Sequence, residues 1–149
     1  MLNISMVRVD ERLVHGQIII KWLEATKVNE IIVIDNDAAS TPNGINLEIL
    51  SLEDGIRTLL TENNGDVIIL VKQLRVVKKI YEGGVSIKEV NVGRIPSDVG
   101  RKKICSNVFL SAEDMDIIKY FNKEGINVFV QIVPDSTPID LNGLVLKHK

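Results

Sequence analysis

The chain has 149 residues, 45% of them hydrophobic and 26% charged, with a formal net charge of -2 and a pI of about 5.7. That length and balance predict one folded domain over residues 1–149 and exclude a disordered chain, while the acidic balance argues against nucleic acid as a partner. The single cysteine, Cys105, fits a reducing cytoplasmic setting, and with no basic leader and no apolar run near the roughly 20 residues of a membrane helix, a soluble protein is expected.

In chain order, residues 2–9 read as a strand and residues 17–26 as a helix apolar on most sides, hence largely buried. Glu30–Ile34 is a short continuous apolar run, the pattern of a strand covered on both faces. Residues 35–44 are dense in turn formers and read as a loop, and residues 45–50 as a strand. Ser51 opens a helix with an acid three residues on, ended by Asn63-Asn64-Gly65. Asp66–Val71 is the clearest buried strand. Residues 73–82 form a helix stopped by Gly83-Gly84.

Residues 87–92 read as a strand, 93–103 as a long polar loop and 104–110 as one strand of mixed character. Ser111 repeats the capping signature before a helix with Met115, Ile118 and Phe121 inward. Residues 126–133 read as the last strand, followed by a turn-rich tail with a short helix near 139–143. Strands alternate with helices throughout, which predicts a three-layer α/β/α domain with a mostly parallel central sheet of six or seven strands. In such sheets ligands gather at the carboxyl ends of the strands beside a topological switch point.

The turn Asp10-Glu11-Arg12-Leu13-Val14-His15-Gly16-Gln17 stands at such an end. Arg12 offers a planar fork suited to phosphoryl oxygens. Leu13, Val14, Gly16 and Gln17 lead into the helix start, whose N–H groups and dipole favour an anion. Neutral imidazole at His15 is a nucleophile able to accept and return a phosphoryl group. Two roles are open to Asp10: an ion pair with Arg12, or a hydrogen bond that fixes the tautomer of His15. No metal motif is present and no cofactor is expected.

The run R-V-D-E-R-L-V-H-G-Q with Trp22 downstream resembles the start of the enzyme IIB component of the mannose/fructose/sorbose family of the phosphoenolpyruvate-dependent sugar phosphotransferase system. Glu82-Gly83-Gly84-Val85 with Asn91-Val92-Gly93 resembles the middle of that family. Lys102-Lys103, the helix start at Ser111 to Asp114, and Gly125 through Val133-Pro134 resemble its last third. The resemblance implies a cytoplasmic phosphoryl carrier, peripherally associated with a permease. Its histidine, here His15, accepts phosphate from a phosphohistidine on a IIA domain and passes it to a sugar entering through membrane components IIC and IID. It implies phosphate stabilisation by Arg12 and a matching acid at Asp10. Whether the chain is a homo-oligomer is left open.

Three departures stand out. The family usually runs through a further helix after the strand ending at Ile34, where this chain has only residues 35–44. Lys72-Gln73-Leu74 stands where relatives often read Thr-Asn-Pro, leaving Lys72 as a point charge for phosphate. Arg94 replaces a second glycine after Asn-Val-Gly and adds a cation near the same end of the sheet.

The alternative is a receiver-like signalling module using Asp35 or Asp37, or a diverged regulatory member of the family. Arg94, Arg101, Lys102 and Lys103 make residues 93–103 a basic rim suited to an acidic or phosphorylated partner.

Overall fold

The computed structural model describes residues 2–35, 46–62 and 65–148. Seven strands form the central sheet: β1 (Asn3–Asp10), β2 (Glu30–Ile34), β3 (Asn46–Leu50), β4 (Asp66–Val71), β5 (Glu89–Arg94), β8 (Asn127–Val130) and β9 (Ile139–Asp140). Their spatial order is β3-β2-β4-β1-β5-β8-β9, and every neighbouring pair is parallel except β8 with β9. The helices are α1 (Gly16–Thr26), α2 (Leu52–Thr61), α3 (Leu74–Glu82), α4 (Ala112–Lys123) and α5 (Leu141–Lys147).

Alternation along the strands splits the core in two. Odd positions of β1, Val7 and Val9, join Val67, Ile69, Val90 and Val92 in one cluster with the buried faces of α2, α3, α4 and α5. The even position Met6 faces the other way, with Ile31, Val33, Ile68 and Leu70, against Ile19 and Trp22 of α1. Runs such as Asp66–Val71 are apolar at consecutive positions because both sheet faces are covered. Each buried Leu, Ile or Phe contributes about 1.5–3 kcal/mol.

The three-layer architecture with a mostly parallel sheet matches the expectation, and so do the places of the main helices. However, α1 is not largely buried: only Ile19 and Trp22 are buried and Ile20 is 40% exposed, because the helix lies on the sheet surface and covers only the side turned to it. Ser51 and Ser111 cap α2 and α4 as the sequence predicts: each hydroxyl accepts from the backbone N–H three residues on, and at Ser111 the side chain of Asp114 returns the bond. Of the loop expected over residues 35–44, all but Asp35 lies outside the described residues, Asp37 included, and of the helix stop Asn63-Asn64-Gly65 so do Asn63 and Asn64.

Two stretches differ. Residues 104–110 are not one strand but part of an antiparallel hairpin, β6 (Lys102–Cys105) and β7 (Val108–Leu110). The chain reverses at Ser106-Asn107, with Asn107 at φ 67°, a left-handed conformation its short polar side chain tolerates. The polar loop is therefore shorter than 93–103: β5 runs on to Arg94, Ile95 bridges to Val108, and Lys102 and Lys103 enter the hairpin. At the other end, β8 stops at Val130 and the chain turns back through residues 131–138 to add β9 antiparallel to it. The short helix falls at Leu141–Lys147, later than residues 139–143.

The connection from β1 leads through α1 to β2 on one side of the sheet, while β4 connects through α3 to β5 across β1. From β5 the chain moves on outward to β8. The carboxyl ends of β1 and β5 therefore flank a topological switch point.

Candidate functional site

Asp10 closes β1 opposite Arg94 of β5 and is 1% exposed. Its carboxylate builds the turn that follows. Oδ1 accepts from the backbone N–H of Arg12 at 3.0 Å, and the Asp10 carbonyl accepts from Leu13 N–H at 2.9 Å. Leu13 takes φ 56°, a left-handed conformation rare for a branched side chain. Leu13 and Val14 are half-buried against the cluster beneath α1, which fixes the turn to the sheet.

His15 is the N-cap residue of α1, extended at φ -124° and ψ 93°, and its side chain is exposed. Its carbonyl accepts from Ile18 and Ile19. Gly16 follows at φ 30°, with open space where a Cβ would stand. Among the described residues, the backbone N–H groups of Val14, His15, Gly16 and Gln17 donate to no protein acceptor. These are the unsatisfied donors of a helix start, and they suit an anion at this turn.

Of the two roles open to Asp10, the structure forms the pair with Arg12. Arg12 Nε donates to Oδ1 and Nη2 to Oδ2, both at 3.0 Å, and no hydrogen bond joins Asp10 to His15. This bond raises the Arg12 guanidinium above its ordinary pKa. Lys72 follows the last residue of β4 and Arg94 is the last residue of β5, so both stand at the carboxyl ends of the strands flanking β1. Each is matched by an acid: Lys72 Nζ lies 3.4 Å from Asp35, and Arg94 Nε lies 3.4 Å from Glu11. Lys72 also borders a depression of about 250 Å³ on this edge, shared with Arg75, Asp98, Arg101 and Ser111. Asp35 is thus held by Lys72, and among the described residues no three His, Cys, Asp or Glu gather as a metal site.

Sequence reasoning assigned no role to Arg8, which lies beneath this turn. Its side chain is 1% exposed, and burial pulls its pKa down to about 10, with Asp10 opposing the fall, so it stays charged at neutral pH. Arg8 donates to Asn91 Oδ1, to the carbonyls of Gln131 (2.9 Å) and Ile132 (3.1 Å), and to Asp10 Oδ2 at 3.5 Å. Its guanidinium lies 5.4 Å from the ring centre of Trp22, whose Nε1 also donates to Ile132 O at 2.9 Å. Gly93 provides the room: a Cβ there would fall 2.6 Å from Arg8 Cζ and 2.7 Å from Asp10 Oδ2. The signal in the sequence is an arginine inside the apolar run Met6-Val7-Arg8-Val9 with an acid two residues on, hence on the same face.

No helix among the described residues is long and apolar enough to cross a membrane. A family model described as "PTS system sorbose subfamily IIB component" matches residues 4–149. The N-acetylgalactosamine-specific phosphotransferase enzyme IIB component 1 of Escherichia coli K12 is 32% identical over 145 residues, covering 89% of this chain and 92% of that protein. The mannose-specific EIIAB component of the same organism is 27% identical over 157 residues, covering 97% of this chain and 49% of that longer protein. The crystal structure of an N-acetylgalactosamine-specific IIB component 1 from Escherichia coli superposes with a TM-score of 0.87 at 27% identity, covering 93% of this chain and 99% of the other.

Proposed function

The chain belongs to the sorbose-subfamily IIB components of the sugar phosphotransferase system, and from that premise we propose that His15 is its phosphoryl carrier. The phosphoryl group comes from a phosphohistidine of a IIA domain. The donor's N–P bond breaks as one forms to a His15 nitrogen, with Nδ1 the atom the family resemblance favours. The group then passes to a hydroxyl of a sugar translocated by membrane IIC and IID components, and the hydroxyl proton leaves. The mannose-specific relative, whose name joins A and B components in one protein, supports a IIA domain as the donor.

The observation that carries this reading is the seating of an exposed imidazole at the start of α1, among backbone donors with no protein acceptor and three residues after Arg12 in the same turn. Phosphoryl transfer needs positioning and charge stabilisation more than covalent chemistry from the protein. In this reading Arg12 stabilises the phosphoryl oxygens, Asp10 orients Arg12, and the N–H groups of residues 14–17 complete the cradle. Lys72, just past β4, and Arg94, at the end of β5, stand at the face a phosphorylated partner meets, each paired with an acid, Asp35 and Glu11. The carrier works in the cytoplasm, peripherally associated with its permease, and sugar choice rests with the membrane components.

The test is to incubate the protein with phosphoenolpyruvate, the general phosphotransferase proteins and the cognate IIA. An acid-labile, base-stable phosphate is expected on the wild-type chain and none on His15→Ala. Label persisting in that variant would overturn the assignment.

A further inference from the structure

We infer that Arg8 is a positioning residue for transfer at His15: it holds Asp10 from the buried side so that Asp10 can hold Arg12, and it leaves this charge cluster net positive. The inference rests on the carrier reading of His15 and extends it to a residue that does not touch the phosphoryl group.

Arg8 sits in the interior of β1, where a buried cation is retained only with extensive pairing. Its partners come from three separate places: Asn91 on β5, the carbonyls of Gln131 and Ile132 just past β8, and Trp22 on α1. Arg8 is therefore fixed to the scaffold independently of the turn. Asp10 Oδ2 lies between Arg8 Nη2 at 3.5 Å and Arg12 Nη2 at 3.0 Å. The Asp10–Arg12 pair alone has no net charge, and its carboxylate would repel an incoming phosphoryl dianion. Adding Arg8 gives two cations and one anion. The flanking cations do not supply this excess, since Lys72 is matched by Asp35 and Arg94 by Glu11. Gly93 completes the arrangement by leaving the space that the Arg8–Asp10 contact occupies.

The experiment measures single-turnover phosphoryl transfer from phosphorylated IIA to three variants, Arg8→Met, Arg8→Lys and Asn91→Asp, with the thermal midpoint of each. Arg8→Met should slow transfer at saturating donor roughly tenfold or more, with little change in the half-saturating donor concentration. Arg8→Lys keeps the charge but not the fork, and should fall between wild type and Arg8→Met. Asn91→Asp retains Arg8, gives it a second carboxylate and cancels the net charge, so it too should slow transfer while the fold persists. A merely structural Arg8 would leave folded Asn91→Asp and Arg8→Lys at the wild-type rate, and that result overturns the inference. Labelling of the wild type at His15 separates the two levels: its failure overturns the carrier reading itself, whereas normal labelling with unchanged variant rates overturns only the role of Arg8.

Discussion

Asp10 grips Arg12 along one edge of the guanidinium, Oδ1 on Nε and Oδ2 on Nη2, both at 3.0 Å. Asp10 is buried while a quarter of the Arg12 side chain is exposed, so the two halves of the pair should fail differently. Arg12→Lys removes the fork but leaves an outer charge, and stability should change by less than about 1 kcal/mol. Asp10→Asn leaves buried Arg8 without its counter-ion and should destabilise by roughly 3–5 kcal/mol. Urea denaturation of both variants checks the contrast. On the carrier reading, Arg12→Lys should also slow phosphoryl transfer about 100-fold in a folded protein, measured by rapid quench.

Gly93→Ala should be damaging despite its small volume change. The added methyl meets the Arg8 guanidinium and the Asp10 carboxylate, neither of which is the loose end of a mobile chain. Overpacking at such a point destabilises by about 1–3 kcal/mol. Equilibrium denaturation gives the size, and a wild-type midpoint would contradict the crowding. Gly16→Ala, with open space around its Cβ, should show only the smaller strain of its positive φ.

Much of this architecture could be read from the chain because local and global preferences agree. Asp66–Val71 is apolar at successive positions since helices cover both sides, and Ser51 and Ser111 announce their helices by cap chemistry. The turn from Asp10 to Gln17 was legible for the same reason: its residues are contiguous. The network under it was not. Asn91, Gln131 and Ile132 lie 83 to 124 positions from Arg8, and periodicity carries no information about which strand ends meet. The hairpin at Ser106-Asn107 was missed because it lacks glycine and sits inside an apolar run, where a left-handed Asn leaves little trace.

The cap at Ser111 should contribute measurably to stability. Ser111→Ala removes the acceptor for Asp114 N–H and leaves the Asp114 side chain bonded only to the Ser111 backbone. A loss of about 1 kcal/mol is expected. Thermal denaturation measures it, and Asp114→Asn should lose less because its side-chain oxygen still accepts from Ser111 N–H. Equal losses for the two variants would mean that the charge of Asp114 at the helix start matters more than the reciprocal bonds.

Cys105, at the end of β6, predicts an alkaline limit to stability. Burial pushes its thiol above the ordinary 9.0, with Lys103 acting in the opposite direction. The folded chain therefore holds the thiol proton more tightly than the unfolded chain. The resulting stabilisation is complete below pH 9 and is lost as pH rises through the folded value, because the unfolded state then releases its proton first. Alkylation should be slower than for a cysteine in an unstructured peptide at pH 8, where thiolate is the reactive form, and should rise with pH beyond 9. Iodoacetamide labelling followed by mass spectrometry gives the rate profile. The stability loss above pH 9 should shrink in Cys105→Ala, and an identical pH dependence in that variant would remove the thiol from the explanation.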